Sequence, residues 1–171
     1  MSYAIHAYAV DIKAIQKVYG SKNEALQNAI FDHRKLQLEK VVDLSYSDYQ
    51  PEEALKDIFF GFLQMPQESD LYAYVSEIIC AELGISLACS EWQDLNMNWI
   101  MDINMEAELP ISELPMPVDF PYVLTIMNKD LSEFVEVMTA LDIEEASARI
   151  QFESWIDTLN SDKKDLVLYF Y

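Results

Sequence analysis

Along residues 96–109 (NMNWIMDINMEAEL) apolar and polar side chains alternate. Met97, Trp99, Met101, Ile103, Met105, Ala107 and Leu109 hold the odd positions; Asn96, Asn98, Asp102, Asn104, Glu106 and Glu108 hold the even ones, with Ile100 the exception. Successive side chains of a strand point to opposite faces, so this pattern predicts a half-buried strand with one apolar face and one face of carboxylates and amides.

The rest of the chain divides into shorter patterns. Residues 3–10 (YAIHAYAV) and 166–171 (LVLYFY), rich in aromatic and β-branched residues, predict terminal strands lying side by side. An apolar chain end of this kind belongs inside a sheet. Residues 122–127 (YVLTIM) predict another short strand, and residues 85–89 either a strand or a buried connector.

Helical spacing fills the intervals. Asp11 caps a first short helix stopped at Gly20, and Ser21 with Glu24 forms a capping box for a second that runs towards Val42. Arg34, Lys35 and Lys40 then fall in its later turns, complementing the helix dipole. Pro51, followed by Glu52 and Glu53, opens a third helix whose FFGF run reads as core. Asp70 caps a fourth, with an apolar stripe through Leu71, Val75 and Leu83 ending at Gly84. Ser90 and Gln93 suggest one turn around Trp92, and two further helices follow over residues 131–142 and 144–159.

Between them, Pro110, Pro115, Pro117 and Pro121 make residues 109–121 an extended segment, because proline and the residue before it avoid helix. Ile111, Leu114, Met116, Val118 and Phe120 favour a covering role for it, packed onto the core. The expected fold is α+β, a single domain over residues 1–171, with five or six helices and a small, mainly antiparallel sheet that includes both terminal strands.

Charge changes the picture. The net charge is −19. Residues 57–128 contain no Lys or Arg against 12 Asp and Glu. A one-signed field of this kind repels nucleic acid and anionic membrane and speeds encounter with basic partners, although acidity also serves solubility alone. No basic leader followed by a long apolar run and no uninterrupted apolar stretch of about 18 residues is seen, so a cytoplasmic protein is expected.

Candidate chemistry is sparse. The two cysteines, Cys80 and Cys89, fit no zinc spacing and read as a reduced, buried pair. His6 and His33 have no ligand neighbour at metal spacing. Asp102, Asn104, Glu106 and Glu113 imitate positions 1, 3, 5 and 12 of a calcium loop, but Ala107 stands where the turn needs glycine and Pro110 follows. No nucleophile with a placed base is visible. Neither a metal, a cofactor nor a catalytic residue is assigned.

The opening MSYAIHAYAVD, GSKNE at residues 20–24, DFP at 119–121 and the closing DLVLYFY together resemble a family of small acidic bacterial proteins of unknown function. The resemblance implies no activity or cofactor; it is similar to proteins found near secreted-toxin genes, which points to an interaction role. The expected partner surface is Asp94, Asp102, Asn104, Glu106, Glu108 and Glu113. Carboxylates there would steer and pair with a basic protein, as in an immunity or antitoxin-like protein masking a basic effector such as a nuclease. The alternative is a small enzyme or ligand-binding domain with a carboxylate-lined pocket.

Overall fold

A computed structural model describes residues 5–87, 106–140 and 146–171, the side chains of 146–149 and 151 excepted. The chain is α+β, with a four-stranded antiparallel sheet between two helical layers. In order it runs β1 (Ile5–Val10), α1 (Ile12–Gln16), α2 (Glu24–His33), α3 (Lys35–Ser45), α4 (Pro51–Phe60), α5 (Ser69–Leu83), β2 (Ile85–Ser86), β3 (Tyr122–Ile126), a single 3-10 turn (Asn128–Asp130), α6 (Leu131–Ala140), α7 (Ala146–Asp162) and β4 (Asp165–Phe170).

The strand order is β2-β1-β4-β3. The terminal strands pair in full, from Ile5 opposite Phe170 to Val10 opposite Asp165, and β3 lies on the other side of β4, with Leu124 opposite Leu168. This is why LVLYFY is apolar throughout: β4 is interior to the sheet and covered on both faces. Its residues Leu166, Leu168 and Phe170, with Ile5, Ala7 and Ala9 of β1, pack against Phe134 and Met138 of α6 and Phe152, Trp155 and Leu159 of α7. Val167 and Tyr169, with Tyr8, Val10 and Val123, face the layer formed by α1 to α5.

Helix α5 is the axis of that layer. Every residue from Leu71 to Cys80 is buried, so the expected stripe is in fact a helix enclosed all round. Its polar members are satisfied internally: Ser76 Oγ donates to Ala73 O at 2.7 Å and meets the Tyr169 hydroxyl at 2.8 Å.

Several local expectations are corrected. Asp11 does cap α1, accepting from Ala14 N at 3.2 Å, but α2 is capped by Asn23, which accepts from Leu26 N at 3.1 Å. Ser21 instead accepts from Asn23 N. The long second helix breaks at Arg34, whose guanidinium is drawn to Glu82 Oε2 and Ala81 O, so Lys35 opens α3 rather than closing α2. This break raises the number of α-helices to seven among the described residues. Asp70 does not cap α5; it accepts from Val118 N at 2.9 Å. In the FFGF run Phe59 is core, whereas Phe60, the last residue of α4, and Phe62, just past the turn at Gly61, are exposed. The turn predicted at residues 90–93 lies outside the described residues.

Candidate functional site

The acidic surface begins where the predicted strand of residues 96–109 ends. Residues 96–105 lie outside the described part, and with them Asp102 and Asn104; Asp94 and both tryptophans of this region, Trp92 and Trp99, lie outside it too. Residues 106–109 are described and are not a strand. They run beside the edge of β3, with Glu108 N–H donating to Val123 O at 3.1 Å and Thr125 Oγ1 donating to Glu108 O at 2.8 Å. Pro110 lacks the N–H that would continue a ladder. The alternation nevertheless persists at this end: Glu106 and Glu108 are exposed and Leu109 is buried.

The proline-rich segment divides its side chains in the same way. Leu109, Ile111 and Leu114 enter the core formed by α1 to α5. Farther along, Met116 is exposed and Val118 is 91% exposed, contrary to the expectation that all its apolar residues are covered. The reason is on the main chain. Val118 N–H is tied to Asp70 at the start of α5, which holds the segment over that helix while its side chain points to solvent.

Eight of the nine described acids of residues 57–128 fall into two groups; the ninth, Glu68, is half-buried just before α5. Asp57, Glu77 and Glu82 are internal, and Asp70 holds the proline-rich segment. Asp57 is buried and accepts from the Tyr49 and Tyr72 hydroxyls at 3.0 and 2.6 Å, and from Gln64 N and Nε2 at 3.0 and 2.9 Å. Burial, reinforced by this carboxylate, pushes the Tyr49 hydroxyl up to about 12 and raises that of Tyr72 as well. Glu77 Oε1 accepts from the Tyr8 hydroxyl at 2.8 Å and lies 2.5 Å from His6 Nδ1, which in turn is 3.0 Å from the Tyr171 hydroxyl. Burial first, and then the Glu77 charge, raise both tyrosines well above their ordinary value. Glu82 binds His33 Nδ1 and Arg34 Nε, each at 2.8 Å.

The second group comprises Glu106, Glu108, Glu113 and Asp119, all exposed. None forms an ion pair among the described residues. Among the described residues, Glu113 accepts from the neighbouring Ser112 hydroxyl at 3.2 Å. Three of the six residues expected to meet a partner, Glu106, Glu108 and Glu113, are thus exposed, as is Asp119, which the alternation does not reach.

Chemistry elsewhere is structural in character. Both histidines acquire a carboxylate from α5, at separations of 71 and 49 residues that no spacing motif spans. Cys80 is a buried free thiol, pushed up to about 12 chiefly by burial, with the Tyr169 hydrogen bond opposing and Glu77 adding to the shift; Cys89 lies outside the described residues. Of the calcium-like pattern only Glu106 and Glu113 are described, and among the described residues no group of three His, Cys, Asp or Glu is arranged to hold a metal ion. No helix among them is long and apolar enough to cross a membrane.

The chain belongs to an uncharacterised family: the model described as "Domain of unknown function (DUF7691)" matches residues 1–171. No match is found among curated proteins or among solved structures.

Proposed function

We propose that this is a cytoplasmic, bacterial, non-enzymatic binding protein whose acidic face receives a basic protein, in the manner of an immunity or antitoxin-like protein that masks a toxic effector. The observation that carries this reading is the set of exposed acids, Glu106, Glu108, Glu113 and Asp119, on a segment that also exposes Met116 and Val118. The segment is anchored from beneath by Leu109, Ile111 and Leu114. Exposed apolar side chains supply contact area, carboxylates supply steering, and a pinned backbone lowers the entropy lost on binding. No Lys or Arg within residues 57–128 is available to offset the field. Asp94, Asp102 and Asn104, outside the described residues, belong to the same proposed set.

The test is kinetic. A partner captured from a cell lysate is purified, and its association is followed at two salt concentrations. Glu106→Gln, Glu108→Gln and Glu113→Gln together are expected to slow association about tenfold and to flatten its salt dependence, with dissociation little changed. Glu39, Glu133 and Glu136, exposed on α3 and α6, provide the control when changed to Gln. Equal slowing by both sets makes general charge responsible, and no slowing by either removes the proposal.

A further inference from the structure

Where β1 and β3 end and β4 begins, an open cleft of about 570 Å³ is lined by Lys13, Lys129, Lys163 and Lys164. These are four of only 11 Lys and Arg in a chain of net charge −19. They come from three separate segments: α1, the 3-10 turn before α6, and the turn between α7 and β4. We propose that this cleft binds a small anion carrying two or more phosphate groups.

The case rests on how the lysine-bearing segments are joined. Asp165, buried at the start of β4, accepts from Ile12 N at 3.0 Å through one oxygen and from Asn128 N at 2.8 Å through the other. Asn128 Nδ2 then donates to Leu159 O at 3.1 Å and to Lys164 O at 2.9 Å. Two side chains therefore lace together the neighbours of Lys13, Lys129 and Lys164. Lys163 sits between α7 and β4 at φ 51°, a left-handed conformation that its surroundings must hold in place. The main chain that carries the lysines is thus tied together by side-chain hydrogen bonds before any ligand arrives.

The carboxylates in the lining do not cancel these charges by contact. Asp165 is occupied by its two N–H donors, and Asp11 accepts from Ala14 N. Asp162 also lines the cleft, yet Lys13, Lys163 and Lys164 form no ion pair among the described residues, while Lys129 reaches Asp130 only at 3.8 Å. Ammonium groups on long, flexible stems suit phosphate oxygens, and several of them carried on segments that border one cleft suit an anion with several charges. The volume lies within the range of roughly 300–1,000 Å³ usual for small-ligand sites. Elsewhere the chain's field repels anions, so binding of one requires a local site.

The experiment is calorimetric titration with tripolyphosphate at low salt, with orthophosphate and vesicles containing anionic lipid as parallel arms. Saturable binding of tripolyphosphate, much weaker binding of orthophosphate and none of the vesicles is expected. Lys163→Gln with Lys164→Gln is expected to weaken tripolyphosphate about tenfold or more. Lys22→Gln with Lys40→Gln, exposed on other segments, should change it less than twofold. If the turn variant does not fold, Lys13→Gln with Lys129→Gln removes charge without touching the turn and is expected to act in the same direction. Absence of tripolyphosphate binding, equal loss in the cleft and control pairs, or stronger binding to vesicles that depends on the cleft lysines would overturn the proposal.

Discussion

Nδ1 of His6, in the first strand, lies 2.5 Å from Oε1 of Glu77, in the middle of the buried helix α5. The imidazole is partly open to solvent while the carboxylate is 6% exposed, so the pair joins the sheet to its covering helix at the margin of the core. Tyr8, two residues along the same strand face, donates to the same oxygen. A carboxylate this deep is tolerated only with such partners, because desolvation of an unpaired charge costs several kcal/mol.

Replacing Glu77 by Ala therefore leaves the Tyr8 hydroxyl without its acceptor and His6 Nδ1 with the Tyr171 hydroxyl alone. The expected loss is about 2–4 kcal/mol, read from the midpoint of urea denaturation at unchanged slope. Glu77→Gln keeps an acceptor oxygen and should cost roughly half as much. Equal stability of wild type and the Ala variant would mean that the cluster adds nothing net.

Glu82 makes acid sensitivity testable. Burial alone would raise its carboxyl, but the hydrogen bonds and charges of His33 and Arg34 together hold it below the ordinary 4.5. Since the folded value is the lower one, the unfolded chain binds more protons between the two values. The stabilisation is thus present above about pH 4.5 and lost as pH falls through the folded value. In melting curves measured against pH, Glu82→Gln should lie below wild type at pH 7 and converge with it under acid conditions. A gap that persists at the lowest pH would assign the loss to packing instead.

The Cys80 thiol, pushed up to about 12 chiefly by burial, stays protonated at pH 8. In the native protein, iodoacetamide at that pH should leave the Cys80 peptide unlabelled over hours, with complete labelling in denaturant, as read by peptide mass mapping. Above the unfolded thiol value of about 8.5 the unfolded chain loses this proton first, so the contribution to stability declines as pH rises towards the folded value. Rapid native labelling of Cys80 would contradict its burial.

Gly20 and Gly61 face one another where the turn after α1 meets the end of α4. Gly20 N donates to Ile58 O and Lys22 N to Phe59 O, each at 2.9 Å. A Cβ at Gly61 would stand 2.8 Å from Gly20 Cα, and the residue has φ 73°. Both the close approach and the left-handed backbone disfavour a side chain, so Gly61→Ala should destabilise by about 1–3 kcal/mol in thermal or urea unfolding. A neutral result would show that the two turns can separate at little cost.

The sequence by itself determined the local features of this protein, apart from the alternation of residues 96–109, which over 106–109 is not a strand. Alternation and aromatic content placed the terminal strands, and Asp11, Pro51 and Gly84 marked helix limits, because strand pleating and capping are written within a few residues. The apolar ending DLVLYFY also required a covered strand, since its side chains point to both faces of the sheet. The one-signed charge of residues 57–128 was equally legible. Tertiary structure alone decided which acids are surface and which are internal. Glu77 and Glu108 are the same residue type in acidic surroundings, yet one meets His6 and Tyr8 while the other stands in solvent. Glu77 is enclosed because α5 lies against β1, and Glu108 is open because its segment runs along the outer edge of β3, long-range outcomes that local spacing does not encode. Arg34 has the spacing of a late-helix cation, and its partner, Glu82, lies 48 residues away. The lysine cleft is not legible in the sequence for the same reason: Lys13, Lys129 and Lys164 border one cleft only when Asp165 and Asn128 draw three distant segments together.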